Sequence, residues 1–418
     1  MRFQSPRGTA DVLPGESYRW QRLEHAFREL VSRHGYSEIR TPTFEETELF
    51  TRSAGETSDI VTKEMYVFED KGGRSMTLKP EGTAGVMRAA IQHHICPQGA
   101  TSRLYYIIPI FRYERPQKGR LREAHQVGLE LIGSPSPLAD AEVIEITVKF
   151  YEAIGLTDIE VTLNSIGRGE CRQRFREAIL SHMASFLKDR DSEFITRVEK
   201  NPLRLIDSKD PDVKAALHGL PPITDFLEPE GRANYEKLQE ILTLRKVPFR
   251  LNPSIARGLD YYTDTVFEVI SSRLGSQDSL CGGGRYDNLV KELGGSDTPS
   301  VGVAMGIERA LIVLEESRIK CDAPRPDVFV VTASPAAWPR CMELADTLRA
   351  AGLCAVTDAD ERSLRSQLKQ ADRVFARFAA IIGEDELPRD VVQLRELDTG
   401  NQVEVGFGEV AGRVGSAE

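Results

Sequence analysis

The chain has 418 residues, and at about 150 residues per domain that length calls for two to three domains. With 40 % hydrophobic and 28 % charged residues it has material for buried cores and a solvated surface, which excludes a disordered chain. The formal net charge of -10 excludes a basic coat that binds nucleic acid without selection, though not a local patch that reads one RNA.

From the N-terminus, residues 1–8 carry no apolar run, so no secretory signal is expected, and no run of about 20 apolar residues follows that would span a membrane. Tyr18, Trp20, Leu23, Phe27, Leu30 and Val31 fall at helical spacing over 17–34, with Gly35 as the stop. Residues 36–42 alternate and end at Pro42, which predicts a strand leaving its sheet. The segments 66–68 and 75–78 flank Asp70-Lys71-Gly72-Gly73-Arg74 as a hairpin would. Residues 83–94 are periodic as a helix. The β-rich runs 103–113 and 125–133 enclose a polar loop, 114–123, and so predict an antiparallel sheet.

Residues 170–245 predict a helical insertion, with helix-forming stretches broken by Pro202, Pro211 and Pro221-Pro222. Strands are expected again at 247–251 and 263–271. Residues 281–287 predict a glycine-rich turn into a helix, and 301–307 a strand running into the helix 308–318. Ala323-Pro324-Arg325-Pro326 predicts a stiff linker. Beyond it, β and α patterns alternate through strands near 328–332, 354–357, 378–382, 391–397 and 402–405. That is a second domain of α/β type with a mixed or largely parallel sheet.

The six cysteines, Cys96, Cys171, Cys281, Cys321, Cys341 and Cys354, have no Cys-x-x-Cys pair, so reduced cytosolic thiols are expected rather than zinc ligands or disulfides. His93-His94 lacks metal-ligand spacing. The loop 111–123 gathers Arg112, Arg115, Lys118, Arg120 and Arg122, which suits either a solvated hairpin or a polyphosphate that the planar guanidinium fork can match. Glu81 and Thr83 open a helix, where a carboxylate simply faces the positive dipole end or, alternatively, binds an amine. Arg257-Gly258-Leu259-Asp260-Tyr261-Tyr262 joins a cation to two phenols that equally suit a core. The stretch Cys281 to Asp287 lacks the Gly-Lys-Ser/Thr ending of a P-loop.

In this order the motifs resemble the class II aminoacyl-tRNA synthetases. The first helix with Thr41-Pro42 is similar to their first motif, Phe111-Arg112-x-Glu114 with its Arg-rich loop to the second, and Gly302-Val303-Ala304-Met305-Gly306-Ile307-Glu308-Arg309 to the third. Arg257 to Tyr262 and Cys281 to Asp287 resemble the signatures of the histidyl-tRNA synthetase family over essentially the whole chain. The resemblance implies an α+β catalytic domain on an antiparallel sheet at 1–325, with the insertion at about 170–245, and an anticodon-binding α/β domain with a mixed sheet at 326–418. It implies a cytoplasmic homodimeric ligase that activates L-histidine with ATP and charges tRNA(His). Mg2+ would accompany ATP, with no structural metal and no membrane.

By the same resemblance, Arg257 and Arg112 are the catalytic arginines at the α-phosphate. Histidine would be held by Glu81, Thr83, Arg112, Gln126, Glu130, Arg257, Tyr261, Tyr262 and Tyr286, with Glu130 and Tyr262 on the imidazole nitrogens. ATP would meet Arg112, Glu114, Arg120 and Arg309, and the tRNA acceptor end Gln117 and Arg122. The sequence departs from the family at Ala124, where an aromatic commonly stacks on adenine. Adenine is then held mainly by Arg309 and apolar neighbours, or ATP binds more loosely. Asp264 adds a negative charge close to Tyr262. The dimer contact is expected on 36–50, with Tyr36, Ile39 and Phe44 as apolar surface. A histidine-binding regulatory paralogue or a pure RNA-binding module are the other readings; Arg257, Glu130 and the domain after Pro326 speak against the first, the ATP-site arginines against the second.

Overall fold

The computed structural model describes residues 3–416 except 56, 57, 209, 276, 277 and 361. The chain divides into two compact units, Met1–Cys321 and Asp322–Glu418.

In the first unit, α1 (Pro14–Arg33) buries Leu23, Phe27 and Val31. It begins three residues before the apolar spacing predicts, because Pro14 has no N–H to lose in a first turn. The strand expected at 36–42 shrinks to β1 (Ser37–Glu38). Tyr36 is no exposed apolar surface: it is 4 % exposed, with its hydroxyl donating to Glu142 at 3.1 Å. A phenol with a polar partner pays less for burial than the apolar count at 36–50 implies. Next come β2 (Phe44–Glu46), α2 (Thr47–Ala54), β3 (Tyr66–Glu69) and β4 (Ser75–Leu78). The hairpin forms where expected, closed by Asp70 accepting from the amides of Gly72 and Arg74. β4 sits between β2 and β3 in a small sheet.

After α3 (Thr83–Gln92), β5 (Ser102–Phe111) and β6 (Glu123–Ile132) pair antiparallel as predicted. The helix α4 (Pro137–Ala153) and strand β7 (Glu160–Ser165) went unread in the sequence. α4 is buried on most sides, so it lacks the polar stripe that makes a helix visible. The helices α5 (Gly169–Lys188), α6 (Ser192–Lys200), α7 (Pro211–Ala216) and α8 (Pro229–Leu244) fill the span read as an insertion. Pro211, read there as a break, opens α7.

The chain returns through β8 (Phe249–Leu251), β9 (Thr263–Ile270), β10 (Ser279–Arg285), α9 (Leu289–Glu292), β11 (Ser300–Gly306) and α10 (Ile307–Glu316). The glycine-rich stretch is thus a strand, not a turn: β10 is hydrogen-bonded between β9 and β11, and pairing on both sides holds glycines extended. The large sheet runs β1-β5-β6-β11-β10-β9-β7-β8, antiparallel except for the two outer pairs. One face carries Val127, Leu129, Leu131, Val301, Val303, Phe267 and Val269 into a core with α1, α4 and α10. Phe27 locks this layer, its ring 5.8 Å from Tyr105 and 5.3 Å from Phe150.

The second unit carries β12 (Val328–Thr332), α11 (Trp338–Ala350), β13 (Ala355–Thr357), α12 (Leu364–Arg373), β14 (Phe378–Ile382), β15 (Val391–Glu396), β16 (Gln402–Gly406) and α13 (Val410–Gly415). Its sheet, β13-β12-β14-β15-β16, is mixed: the first three strands are parallel and the last two antiparallel. α11 and α13 pack with Val328 and Val330, and α12 with Phe329 and Val331, so successive β12 residues serve opposite layers.

Candidate active site

The strand register lays out the site. Gln126 pairs with Gly306, Gly128 with Ala304, and Glu130 with Gly302; across β11, Gly302 faces Gly284 and Ala304 faces Gly282, which in turn pairs with Glu268. Alternate residues share a face, so this face is nearly bare of side chains, with Gln126, Glu130 and Glu268 standing on it. The bareness is required. A Cβ on Gly282 would lie 2.0 Å from the Arg257 guanidinium, and one on Gly302 1.9 Å from the Glu130 carboxylate.

At one end Glu81 accepts from the amides of Thr83 at 2.7 Å and Ala84 at 2.8 Å, so it caps α3. Burial pushes its carboxyl up, against the pull of those amides and of Arg112. Thr83 donates its hydroxyl to Glu130 at 2.7 Å, and Tyr286 donates to the other Glu130 oxygen. Glu130 is fully buried, and burial raises its carboxyl to about 8 despite those two donors. Tyr261, Tyr262 and Tyr286 wall this end, with centroids 4.7 Å apart for the first two and 5.5 Å from Tyr261 to Tyr286. The Gln126 side-chain carbonyl oxygen is buried and, among the described residues, has no hydrogen-bond partner. Asp264 does not face this end: it pairs with Arg168 at 3.4 Å.

The rest of the cleft is cationic. Arg257 lies over β10, bonded to Glu268 and 5.8 Å from the Tyr262 ring. Burial works against its charge, but Tyr262, Glu268 and Tyr261 outweigh it and hold its pKa above the usual arginine value. Arg112 donates to the Pro80 carbonyl at 2.8 Å, and Glu114 lies between Arg112 at 4.0 Å and Arg120 at 3.3 Å. Arg309, reaching from the first turn of α10, donates to the carbonyls of Gly119 and Ser279; burial, with Arg120 nearby, lowers its pKa. Ala124 lines the same cleft with Ile110 and Leu121.

One cleft therefore collects Glu81, Thr83, Arg112, Glu114, Arg120, Gln126, Arg257, Tyr261, Tyr262, Tyr286 and Arg309, with Glu130 bonded beneath through Thr83 and Tyr286. Gln117 and Arg122 stand apart. Gln117 is exposed at the loop tip, in a turn closed with Arg120. The Arg122 guanidinium stacks 3.9 Å from the Tyr113 ring. Sequence reasoning missed Glu268 as the partner of Arg257; its alternation with Phe267 and Val269 in β9 reads as plain strand. It also missed Glu308, which accepts from the His125 amide at 2.9 Å and meets the His125 ring at 3.0 Å, tying the third motif to β6. Among the described residues no three His, Cys, Asp or Glu side chains gather as metal ligands.

A largely antiparallel sheet with one bare face, and arginines reaching over it from loops and a helix start, is the arrangement of a class II aminoacyl-tRNA synthetase catalytic domain. The histidyl-tRNA synthetase family pattern matches residues 8–310, and the anticodon binding domain pattern matches 327–416. The chain is 43 % identical over 415 residues to the histidine–tRNA ligase of Thermoanaerobacter pseudethanolicus, covering 99 % of each chain. It is 45 % identical over 411 residues to that of Bacillus cytotoxicus, covering 97 % of each. The solved apo histidyl-tRNA synthetase of S. aureus superposes with a TM-score of 0.83 at 35 % identity, over 99 % of both chains. The chain belongs to the histidyl-tRNA synthetase family.

The buried Glu130 predicts a pH signature. From an ordinary value of 4.5 its carboxyl rises to about 8 in the fold, so between these values the folded chain holds a proton that the unfolded chain releases. Its contribution to stability is whole below pH 4.5 and is lost as the pH climbs to about 8. Glu130→Gln removes this dependence, so urea melts from pH 5 to 8.5 should show the variant gaining on the parent as pH rises. Parallel pH profiles would mean that Glu130 is not held protonated.

Proposed function

We propose that this chain activates L-histidine with ATP to histidyl-adenylate and transfers histidine to the 3′ end of tRNA(His). The observation that carries the reading is one bare sheet face bearing an acidic, hydrogen-bonding recess at one end and arginines along the rest. The histidine carboxylate attacks the α-phosphorus, an O–P bond forms, and pyrophosphate leaves. That carboxylate is ionised at pH 7, so no general base is needed. Catalysis rests on alignment and on offsetting charge at the phosphate. Arg257 and Arg112 take that role, each an always-protonated fork held in place by a protein oxygen.

Glu81, Thr83 and the unpartnered Gln126 carbonyl receive the ammonium group. Glu130 and Tyr262 pair with the two imidazole nitrogens, while Tyr261 and Tyr286 close the recess. A ring N–H brought against Glu130 favours its carboxylate form. A side chain without those nitrogens strands buried polar groups, which is the basis of selection. Arg309, Arg120 and Glu114 bind ATP, and adenine rests on Ile110, Leu121 and Ala124 beside Arg309. Mg2+ travels with the ATP phosphates as part of that substrate. In the second step a terminal ribose hydroxyl of the tRNA attacks the acyl carbon and AMP leaves. Gln117 and Arg122 are placed toward the acceptor end.

Histidine-dependent exchange of labelled pyrophosphate into ATP tests the activation step. Arg257→Ala should lower its rate by ~10²–10³ while calorimetric histidine affinity moves far less. Equal losses in both would reduce Arg257 to a binding group, and no exchange by the parent chain would overturn the reading.

We further propose that the domain at 326–418 reads the anticodon and that the catalytic domain ends at 325. Glu384, Asp385 and Glu386 argue against bulk attraction of RNA, so splayed bases would be read by stacking and edge contacts. Deleting 326–418 should leave exchange largely intact and cut aminoacylation steeply at fixed salt. Full charging by the truncated, folded chain would refute this division.

The homodimer is proposed on the face around β2. There Phe44 and Phe68, 49 % and 40 % exposed, stack edge to face at 5.9 Å on one face of the small sheet. Light scattering at micromolar concentration should report about twice the 46.6 kDa chain; the monomer mass would contradict it. A cytoplasmic location fits six unpaired cysteines and, among the described residues, no helix long and apolar enough to cross a membrane. Fractionation that places the chain with secreted or membrane proteins would count against it.

A further inference from the structure

Between β8 and β9 the chain runs through 252–262 without regular structure, yet it delivers Arg257, Tyr261 and Tyr262 to the cleft. A segment with no ladder of its own must find outside partners for its backbone, and those partners decide how firmly it stands. Its entrance is held from the sheet: the Asn164 amide on β7 donates to the carbonyls of Pro253 and Ile255 at 3.3 and 3.1 Å. In the remaining part the Asp260 amide donates to the Ala54 carbonyl of α2 at 3.2 Å, and the other outside bonds come from the helical insertion. Arg172 on α5 donates to the Tyr262 carbonyl at 3.1 Å. Asn201, just past α6, donates to the Asp260 carboxylate at 3.1 Å. Arg204 donates to the Gly258 carbonyl at 2.7 Å and lies 4.0 Å from Asp260.

Arg204 holds the peptide nearest Arg257, since Gly258 follows Arg257 directly. The turn that carries it is built to aim it. Pro202 opens a short 3-10 helix, Pro202–Leu205, in which Leu203 and Leu205 are buried in the core at 7 % and 5 % exposure. These two anchors, with Arg204 between them, fix the base of its side chain. The lysine carbonyl at the end of α6 is in turn held by Arg176 on α5 at 2.9 Å. A guanidinium on a neutral carbonyl is a charge-assisted bond, stronger than an amide contact. It orients the peptide next to Arg257, whose own guanidinium lies over Gly282 and is bonded to Glu268.

We infer that Arg204 is a positioning residue for adenylate formation: through the Gly258 carbonyl, the insertion sets the placement of Arg257 at the α-phosphate. The inference rests on the role of Arg257 proposed above. It makes the insertion part of the activation site as well as a decoration of the catalytic domain.

The test is steady-state pyrophosphate exchange with the full chain. Arg204→Ala should lower kcat by about tenfold to a hundredfold, the range for a small misplacement of a reacting group. KM for histidine and for ATP should move by less than about threefold. Arg204→Lys keeps a charged donor and should recover part of the loss, and it serves alone if the alanine variant fails to fold. In an Arg257→Ala background, either Arg204 change should have almost no further effect. A normal kcat in Arg204→Ala, a change in KM alone, or an undiminished effect without Arg257 would each overturn the inference. Wild-type exchange by Arg257→Ala alone would instead overturn the assignment of Arg257, and this inference with it.

Discussion

An arginine can lie across a β-strand only where the strand has no side chain beneath it. That steric condition governs the first unit. Gly282 gives Arg257 its bed, and Gly302 gives Glu130 room beneath β11. Glycine inside strands weakens them by roughly 0.5–1 kcal/mol each relative to alanine. The opposite face of the same strands compensates, with Val301, Val303 and Phe267 packed into the core between the sheet and its helices. One sheet thus serves as a core wall on one side and as the platform of the cleft on the other.

The platform divides into two electrostatic regions. At the Glu130 end, carboxyls are buried without a cation in contact, so burial raises them and the recess offers hydrogen bonds more than charge. Along the rest, arginines are bonded to Glu268, to Glu114 or to backbone carbonyls. Such arginines are oriented before a phosphate arrives, and pre-oriented charge is what stabilises a transition state without reorganisation. Both regions stand on one sheet, so its strand register sets the distance between the Glu130 recess and the arginines.

A separate buried cluster keeps the sheet and α4 in step. Arg285, at the end of β10, bonds to Asp140 of α4, to Asp287 at 3.0 Å and to the Ser134 carbonyl at 2.8 Å. In the sequence it reads as part of the same signature as Tyr286, yet its side chain makes this ionic lock outside the cleft while Tyr286 faces Glu130. Adjacent residues of one motif thus divide between architecture and recognition.

The sequence carries the order of the two units, the hairpin at 66–78, the β5–β6 pairing with its arginine loop and, through motif resemblance, most of the residues that meet in the cleft. Those features rest on local patterns: alternation, turn residues and fixed spacing. It misread residues 281–287 as a turn, because glycine favours turns until two neighbouring strands hold it extended. It missed α4, whose burial on most sides removes the stripe that marks a helix. It placed Tyr36 on the surface, where the Glu142 carboxylate instead draws it inside. Packing alone brings Glu268 to Arg257, turns Asp264 to Arg168 and lets the insertion grip the Gly258 carbonyl. Each of these is a contact between segments that the sequence keeps apart or leaves unpatterned, and only packing brings their atoms within bonding distance.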